Sequence, residues 1–373
     1  MNLKTLLLSS DDTTVRVLRR VLSDLEIGIE HCLNSDAAIR RITRQRFEAI
    51  IVDAVNCSDA GGVLRATKAA PVNKRALAIV LVESSIGLKG GFELGAHFVL
   101  HKPLAVERAK ASFRAVRALM KSERRLQLRV PIDLPITCIG NSRYPARTID
   151  LCEGGMAIRF TGRKSRENQL RFALELPSLE KGVYEKLEIP GELAWQGGED
   201  RVGVRFKDLT DGQRSALRKW IGAHLPEPEA DDPPIVCRVK NLSDGACYLT
   251  TSSPFPKQSR VILSLSTSDH ETRACGVVRV THPEFGMGIE FKRTTPEQKK
   301  EAHLLVDAIR AAIESAELQV HPDGLDSSHD EKPPAASANP DDALVHLFQD
   351  QAQVSIEVFL EQMQQSRQPQ ESR

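Results

Sequence analysis

The segment Arg125-Leu-Gln-Leu-Arg129 sets two guanidiniums four residues apart, just beyond a helical stretch. Further on, Asp150-Leu-Cys-Glu-Gly-Gly155 is a turn that begins with a carboxylate and ends with two glycines. A guanidinium can stack on a purine, donate bidentate to guanine O6 and N7, and pair with phosphate oxygens. A carboxylate accepts from guanine N1–H and N2–H more strongly than an amide would. Glycines let backbone approach a flat ligand where a Cβ would clash. Arg124, Arg125, Arg129, Asp150, Cys152 and Gly155 are therefore candidate contacts for a ligand carrying both guanine and phosphate. The competing reading of the same residues is a solvated basic helix end followed by an ordinary turn.

A second group gathers at the ends of apolar runs: Asp11 and Asp12, Asp53, and Lys102. The elements that would position it alternate. After Leu6-Leu-Leu-Ser-Ser10, the residues Val15, Leu18, Val21, Leu22 and Leu25 recur at helical spacing. A strand from Gly28 to Cys32, a helix from Asp36 to Arg44, and the strands Phe47 to Asp53 and Leu77 to Val82 follow. A helix near Leu88 to Leu94, the strand His97 to Leu100 and a long helix from about Ala105 to Met120 complete the series. Apolar strands alternating with amphipathic helices imply an α/β doubly wound domain, its parallel sheet covered on both faces. Functional groups then collect beyond the carboxyl ends of the strands.

On these residues the N-terminal part resembles a response-regulator receiver domain. The resemblance implies an acidic pair that binds Mg²⁺, a phosphoacceptor at Asp53, a Ser/Thr after the fourth strand, and a lysine before proline at Lys102-Pro103. Counted from Arg16, the acidic pair falls on Ser10 and Asp11, which leaves Asp11 and Asp53 as the carboxylates for Mg²⁺. The fourth-strand position falls on Glu83 with Ser84 beside it, and a glutamate there opposes a new phosphoryl charge. Two readings follow: a phosphorylated receiver, or a receiver-shaped platform in which Lys102 is permanently paired with Asp53. The segment Arg125 to Gly155 resembles the PilZ family of cyclic di-GMP receptors, whose signature is RxxxR followed by [D/N]xSxxG. Arg125, Arg129, Asp150 and Gly155 match it, and Cys152 stands where the family has serine. The resemblance implies a small antiparallel β-barrel holding cyclic di-GMP.

That barrel recurs. Asp150-Leu-Cys-Glu-Gly-Gly-Met-Ala-Ile returns as Asn241-Leu-Ser-Asp-Gly-Ala-Cys-Tyr-Leu, and Gly191/Gly203 return as Gly276/Gly288. Each copy closes with a capped helix, from Asp211 to His224 and from Pro296 to Leu318. The second copy lacks a preceding arginine pair and follows an acidic, proline-rich stretch, so it reads as structural or protein-binding. The expected organisation is a receiver-like domain over residues 1–121, a PilZ-like barrel over 122–225, a linker over 226–234 and a second, degenerate barrel over 235–319. A disordered stretch over 320–342 and an amphipathic helix over 343–366 follow. That helix either folds back on its own domain or docks a partner.

Composition narrows the functional classes. Lys and Arg number 51 against 50 Asp and Glu, a net charge of +1 that argues against a nucleic-acid or anionic-membrane partner. No run of about 18 apolar residues spans a membrane, and no small-residue cleavage site follows the first apolar run. The seven cysteines are scattered without a CxxC pair and read as reduced core residues of a cytoplasmic protein. No nucleophile–base set is evident, so an enzyme is not expected. The expected function is a cyclic di-GMP effector relaying ligand state to an unidentified signalling protein, with a histidine kinase as donor if Asp53 is phosphorylated. The alternative is a scaffold whose barrels bind no nucleotide. A dimer is left open.

Overall fold

The computed structural model describes residues 3–83, 87–163, 165, 167–177, 184–198, 200–224, 232–266, 271–312, 317–325, 342–349 and 358–359. The chain divides into two units: Met1–Glu123 with Asp232–Arg373, and Arg124–Asp231. Sequence suggested domains strung in series. Instead, one barrel is inserted into a unit that joins the α/β domain to the other barrel.

The α/β domain runs β1 (Leu3–Leu8), α1 (Asp12–Asp24), β2 (Ile27–Cys32), α2 (Ser35–Arg44), β3 (Ala49–Asp53), α3 (Ala60–Ala69), β4 (Leu77–Val82), α4 (Gly87–Glu93), β5 (Phe98–His101) and α5 (Val106–Arg125). The five strands are parallel in the order β2-β1-β3-β4-β5. This is the doubly wound order in which the strand order reverses direction between β1 and β3. β3 and β4 are buried throughout, as strands covered on both faces must be. Helix α5 extends past the expected end at Met120 to Arg125, because Lys121-Ser-Glu-Arg-Arg125 offers no glycine or proline to stop it.

The inserted unit holds β6 (Val130–Pro131), β7 (Pro135–Ile139), β8 (Arg143–Cys152), β9 (Gly155–Phe160), β10 (Gln169–Pro177), β11 (Tyr184–Gln196), β12 (Arg201–Phe206) and α6 (Asp211–His224). Pairing of β8 with β9 closes the ring β8-β7-β10-β11-β12-β9, and β6 lies alongside β8. Its core is a separate cluster around Phe172, Ile158, Leu217 and Trp220. Thr210 and Gln213 form the expected capping box at the start of α6.

The second barrel comprises β13 (Ile235–Leu242), β14 (Ala246–Thr250), β15 (Ser259–Ser266), β16 (Glu271–His282), β17 (Gly286–Phe291), α7 (Pro296–Ala311) and β18 (Glu317–Leu325), followed by α8 (Ala343–Gln349). Its closed ring is β13-β14-β17-β16-β15-β18. Matched strand for strand, β18 takes the place that β7 holds in the first barrel, but it comes after the closing helix rather than before β8. The second barrel is thus a circularly permuted copy. This corrects two expectations: α7 stops at Ala311 rather than Leu318, and within the stretch expected to be disordered Val320–Leu325 is strand and Asp342 caps α8. It also explains the missing arginine pair, because the ring is completed from the other end of the chain. The rest of the proposed disordered stretch, 326–341, lies outside the described residues.

Helix α5 joins the α/β domain to the second barrel. Phe113, Val116, Leu119 and Met120 share one core with Leu7, Ile51 and Leu81 of the sheet and with Phe255, Val261 and Val320 of the barrel. The Ser253 hydroxyl donates to Ala111 O at 2.8 Å, and Leu325 N–H donates to the buried Glu123 carboxylate. Arg117 and Lys121 both pair with Asp232, at 2.5 and 2.7 Å, so an acid assigned to a linker is clasped to this helix. Among the described residues no helix is long and apolar enough to cross a membrane.

Candidate functional site

Two arginines reach one turn. Arg124 O accepts from Gln127 N–H and Leu128 N–H, which ends α5 and swings the chain towards β6. Arg125, the last helical residue, then places Nε 3.8 Å from Glu153 Oε1, and Arg129 places Nη1 2.5 Å from Asp150 Oδ1. Asp150 is aimed outward by a β-bulge between Thr148 and Asp150, and its Oδ1 also accepts from Ala157 N–H at 3.1 Å. Arg218 of α6 lies 3.3 Å from the other Glu153 oxygen. A solvated basic helix end is not what the structure shows. Instead each guanidinium is neutralised by a carboxylate of the turn.

Glu153, only 6% exposed, had no assigned role, yet it occupies Arg125 and Arg218 together. An anion arriving at Arg125 must displace it. We expect Glu153→Gln to bind cyclic di-GMP several-fold more tightly, since the neutral amide competes less well for a guanidinium. Weaker binding in that variant, read by calorimetry, would make Glu153 a support for Arg125 rather than its competitor.

Three sequence-assigned contacts have other work. Arg124 is buried, unlike the exposed Arg129. Cys152 is 3% exposed, and its thiol donates to Gly155 O at 3.1 Å within the turn; burial pushes its pKa up. Gly155 serves strand packing, since a Cβ there would sit 2.1 Å from Val204 O of β12. Cys152→Ser should keep the same internal bond and leave nucleotide affinity within about twofold, the effect of a few tenths of a kcal/mol. A tenfold change in titration would show that position 152 faces the ligand.

Strand register reveals residues that sequence did not single out. Asp150 pairs with Ala157, Ala157 with Gly203, and Gly203 with Trp195, giving one row across the outside of β8, β9, β12 and β11. The Trp195 indole lies on Gly203, where a Cβ would meet its Nε1 at 2.0 Å, and the side chain is 48% exposed. A parallel row sets Arg147, Arg159 and Arg201 abreast, all exposed. The result is a shallow floor of small residues with a carboxylate at one side, an aromatic face at the other and guanidiniums along two edges. Such a surface can stack a flat heterocycle and pair with phosphates.

Residues 123–223 match the family model for the PilZ domain. The inserted barrel is a PilZ domain. Solved structures resemble the N-terminal part. The receiver domain of a sensor histidine kinase from Pseudomonas aeruginosa PAO1, with magnesium coordinated in its cleft, is 19% identical over 32% of this chain and 99% of that one, at a TM-score of 0.29. A chemotaxis response regulator of Vibrio cholerae is 18% identical over 31% and 99%, also at 0.29. A receiver domain from Methylobacillus flagellatus is 16% identical over 31% and 99%, at 0.28. No curated protein is similar to the chain in sequence.

At the carboxyl ends of the N-terminal strands, Lys102 bridges Asp11 and Asp53, with Nζ 2.9 and 3.0 Å from their carboxylates. Asp53 is fully buried, and its Oδ2 also accepts from the Ser9 hydroxyl at 2.8 Å and the Asn56 amide at 3.1 Å. The Thr14 hydroxyl and Lys102 hold the Asp11 carboxyl well below the usual carboxylate range. Burial works against the Lys102 charge, but its bonds to Asp11 and Asp53 outweigh it and raise its pKa. Asp12, expected in this pocket, is instead exposed in the first turn of α1, and Ser10 is exposed as well. Ser9 and Asn56 were not foreseen, and Ser84 lies outside the described residues.

Asp11 and Asp53 are the carboxylates that would face a Mg²⁺ ion here, and Lys102 stands between them. Two carboxylates are already joined by an ammonium, and no group of three potential ligands exists among the described residues. We therefore expect acetyl phosphate to label Asp53 poorly, with the exposed Glu83 adding like charge just past β4. Stoichiometric, Mg²⁺-dependent modification at Asp53 on a Phos-tag gel would contradict this.

Proposed function

We propose that the chain is a cyclic di-GMP effector in which the PilZ domain is the receptor and the receiver-like domain is a docking platform held shut by Lys102. The observation carrying this reading is the convergence of Arg125, Arg129 and Asp150 on one turn of the PilZ domain, beside the row that ends at the half-exposed Trp195. In this reading Arg129 and Arg125 leave Asp150 and Glu153 to pair with the phosphates. Asp150 then turns to the guanine edge, and Trp195 supplies a face for the base.

Because α5 ends on Arg125, a change at that residue is felt at the helix terminus. The same helix is packed against the sheet and the second barrel and is tied to Asp232. Nucleotide binding would thus bear on the end of α5, and through that helix on an unidentified signalling partner. Isothermal titration of the full-length chain with cyclic di-GMP tests the reading. Saturable binding supports it, and none up to millimolar ligand would leave the scaffold alternative.

A further inference from the structure

The two barrels share an outer face and treat it oppositely. In the second barrel the row corresponding to Asp150–Ala157–Gly203–Trp195 is Asn241–Tyr248–Gly288–Val280. The small floor residue has become a tyrosine, and the row of three arginines is reduced to Arg238–Thr250–Gly286. One arginine of three remains, and neither the carboxylate nor the indole is kept. The face is covered by the chain's own C-terminal segment, whose Leu344, Val345, Phe348 and Phe359 bury themselves against Ala246, Tyr248 and Val280.

Three features of the segment are recognised separately. The Asp342 carboxylate accepts from Leu344 and Val345 N–H at 3.2 Å, capping α8, and its other oxygen accepts from Gly245 N–H at 2.9 Å. Gly245 lies in the turn that corresponds to Asp150–Gly155. Phe348 lies over Gly288, where a Cβ would come within 2.5 Å of its ring. Phe359 packs on Tyr248 and His282, at ring-centroid distances of 5.3 and 4.6 Å, and those two share a hydrogen bond of 2.9 Å. A seven-residue helix is marginal alone, so α8 owes its form to the seat it occupies.

We propose that this face of the second barrel is a peptide-binding groove for an acid-capped, aromatic helical segment. We further propose that Asp342–Phe348 and Phe359 of a second copy can take the seat filled here by the chain's own. Every recognised group belongs to the segment itself. The connection from Leu325 to Asp342, residues 326–341, can span up to about 50 Å when extended, so the tether does not dictate the seat. A tethered resident enjoys an effective concentration of order millimolar, which hides the groove from a free competitor until the resident's anchors are removed.

The test uses the full-length chain with Phe348→Asp and Phe359→Asp in its own segment, and a fluorescein-labelled peptide of residues 340–361. Saturable anisotropy is expected, at least roughly tenfold tighter than for the wild-type chain, whose resident competes. Adding Gly245→Ala should weaken it several-fold while exchange of the barrel amides holds, because the three atoms nearest such a Cβ all belong to Asp342 and Val345. The proposal fails if a folded variant binds no peptide, if Gly245→Ala has no effect, or if cyclic di-GMP instead protects Asn241–Ala246. Should the double aspartate variant misfold, Gly245→Ala in the wild-type chain decides: amides of 343–349 exchange faster with β13 and β14 unchanged, or the groove is not what holds them.

Discussion

Arg129→Ala should lower cyclic di-GMP affinity tenfold or more while leaving the fold intact. In the free protein Arg129 is exposed and its pair with Asp150 is a surface ion pair, worth little to stability. In the proposed complex the same guanidinium would make a charge-assisted bond to phosphate, whose loss costs about 1.5–3 kcal/mol. Arg125→Ala should weaken binding to a similar extent but also disturb the barrel, because it leaves the buried Glu153 with Arg218 as its remaining described ion-pair partner. Calorimetry on both variants, with thermal unfolding as a control, separates the effects. Unchanged affinity in both would remove the arginines from the site.

A second large effect is expected far from that turn. Lys102→Met should cost the N-terminal domain about 3 kcal/mol, because removing one partner of a buried pair strands the other charge. The Ser9, Asn56 and Val55 donors to Asp53 keep the cost at the lower end of the usual range. Lys102→Met with Asp53→Asn should recover most of it, since both charges are then gone. The pH dependence has a definite sign. Asp11 is depressed, so its contribution is present above the unfolded carboxylate value and lost as pH falls through the folded one. Lys102 is raised, so its contribution is present below the unfolded lysine value and lost as pH rises through the folded one. Wild-type stability from this clasp should thus be flat from about pH 5 to about pH 9. Amide exchange in β3 is the suitable readout, as both tryptophans, Trp195 and Trp220, lie in the PilZ domain. A full-strength Lys102→Met domain would show that the bridge holds nothing.

Much of this architecture was legible because its signals are local. Alternating apolar runs gave the parallel sheet, and strand ends located Asp53 and Lys102 without any knowledge of packing. The repeat was visible because turn residues and glycines kept their spacing. What escaped depended on register or on distant chain. Trp195, Ala157 and Gly203 become neighbours only once four strands are aligned, and the bulge before Asp150 leaves no mark in composition. Gly155 looked like an opening for a ligand, whereas its missing Cβ is filled by a strand that begins nearly fifty residues later. Strand β18 was hidden because Pro322-Asp-Gly reads as a turn, and only pairing with β13 and β15 makes it a strand. Glu153 was passed over as an unassigned position between two motif residues, although its partners Arg125 and Arg218 lie on helices either side of it in sequence.

The central claim is that one barrel reads the nucleotide and its permuted copy does not. Hydrogen exchange of the full-length chain with and without cyclic di-GMP tests it most directly. Protection should rise around Arg125 to Arg129, across Asp150 to Ala157 and near Trp195, while Asn241 to Ala246 stays as it was. Protection centred on Asn241 to Ala246, or none at all near Arg125, would place the ligand elsewhere and contradict the account.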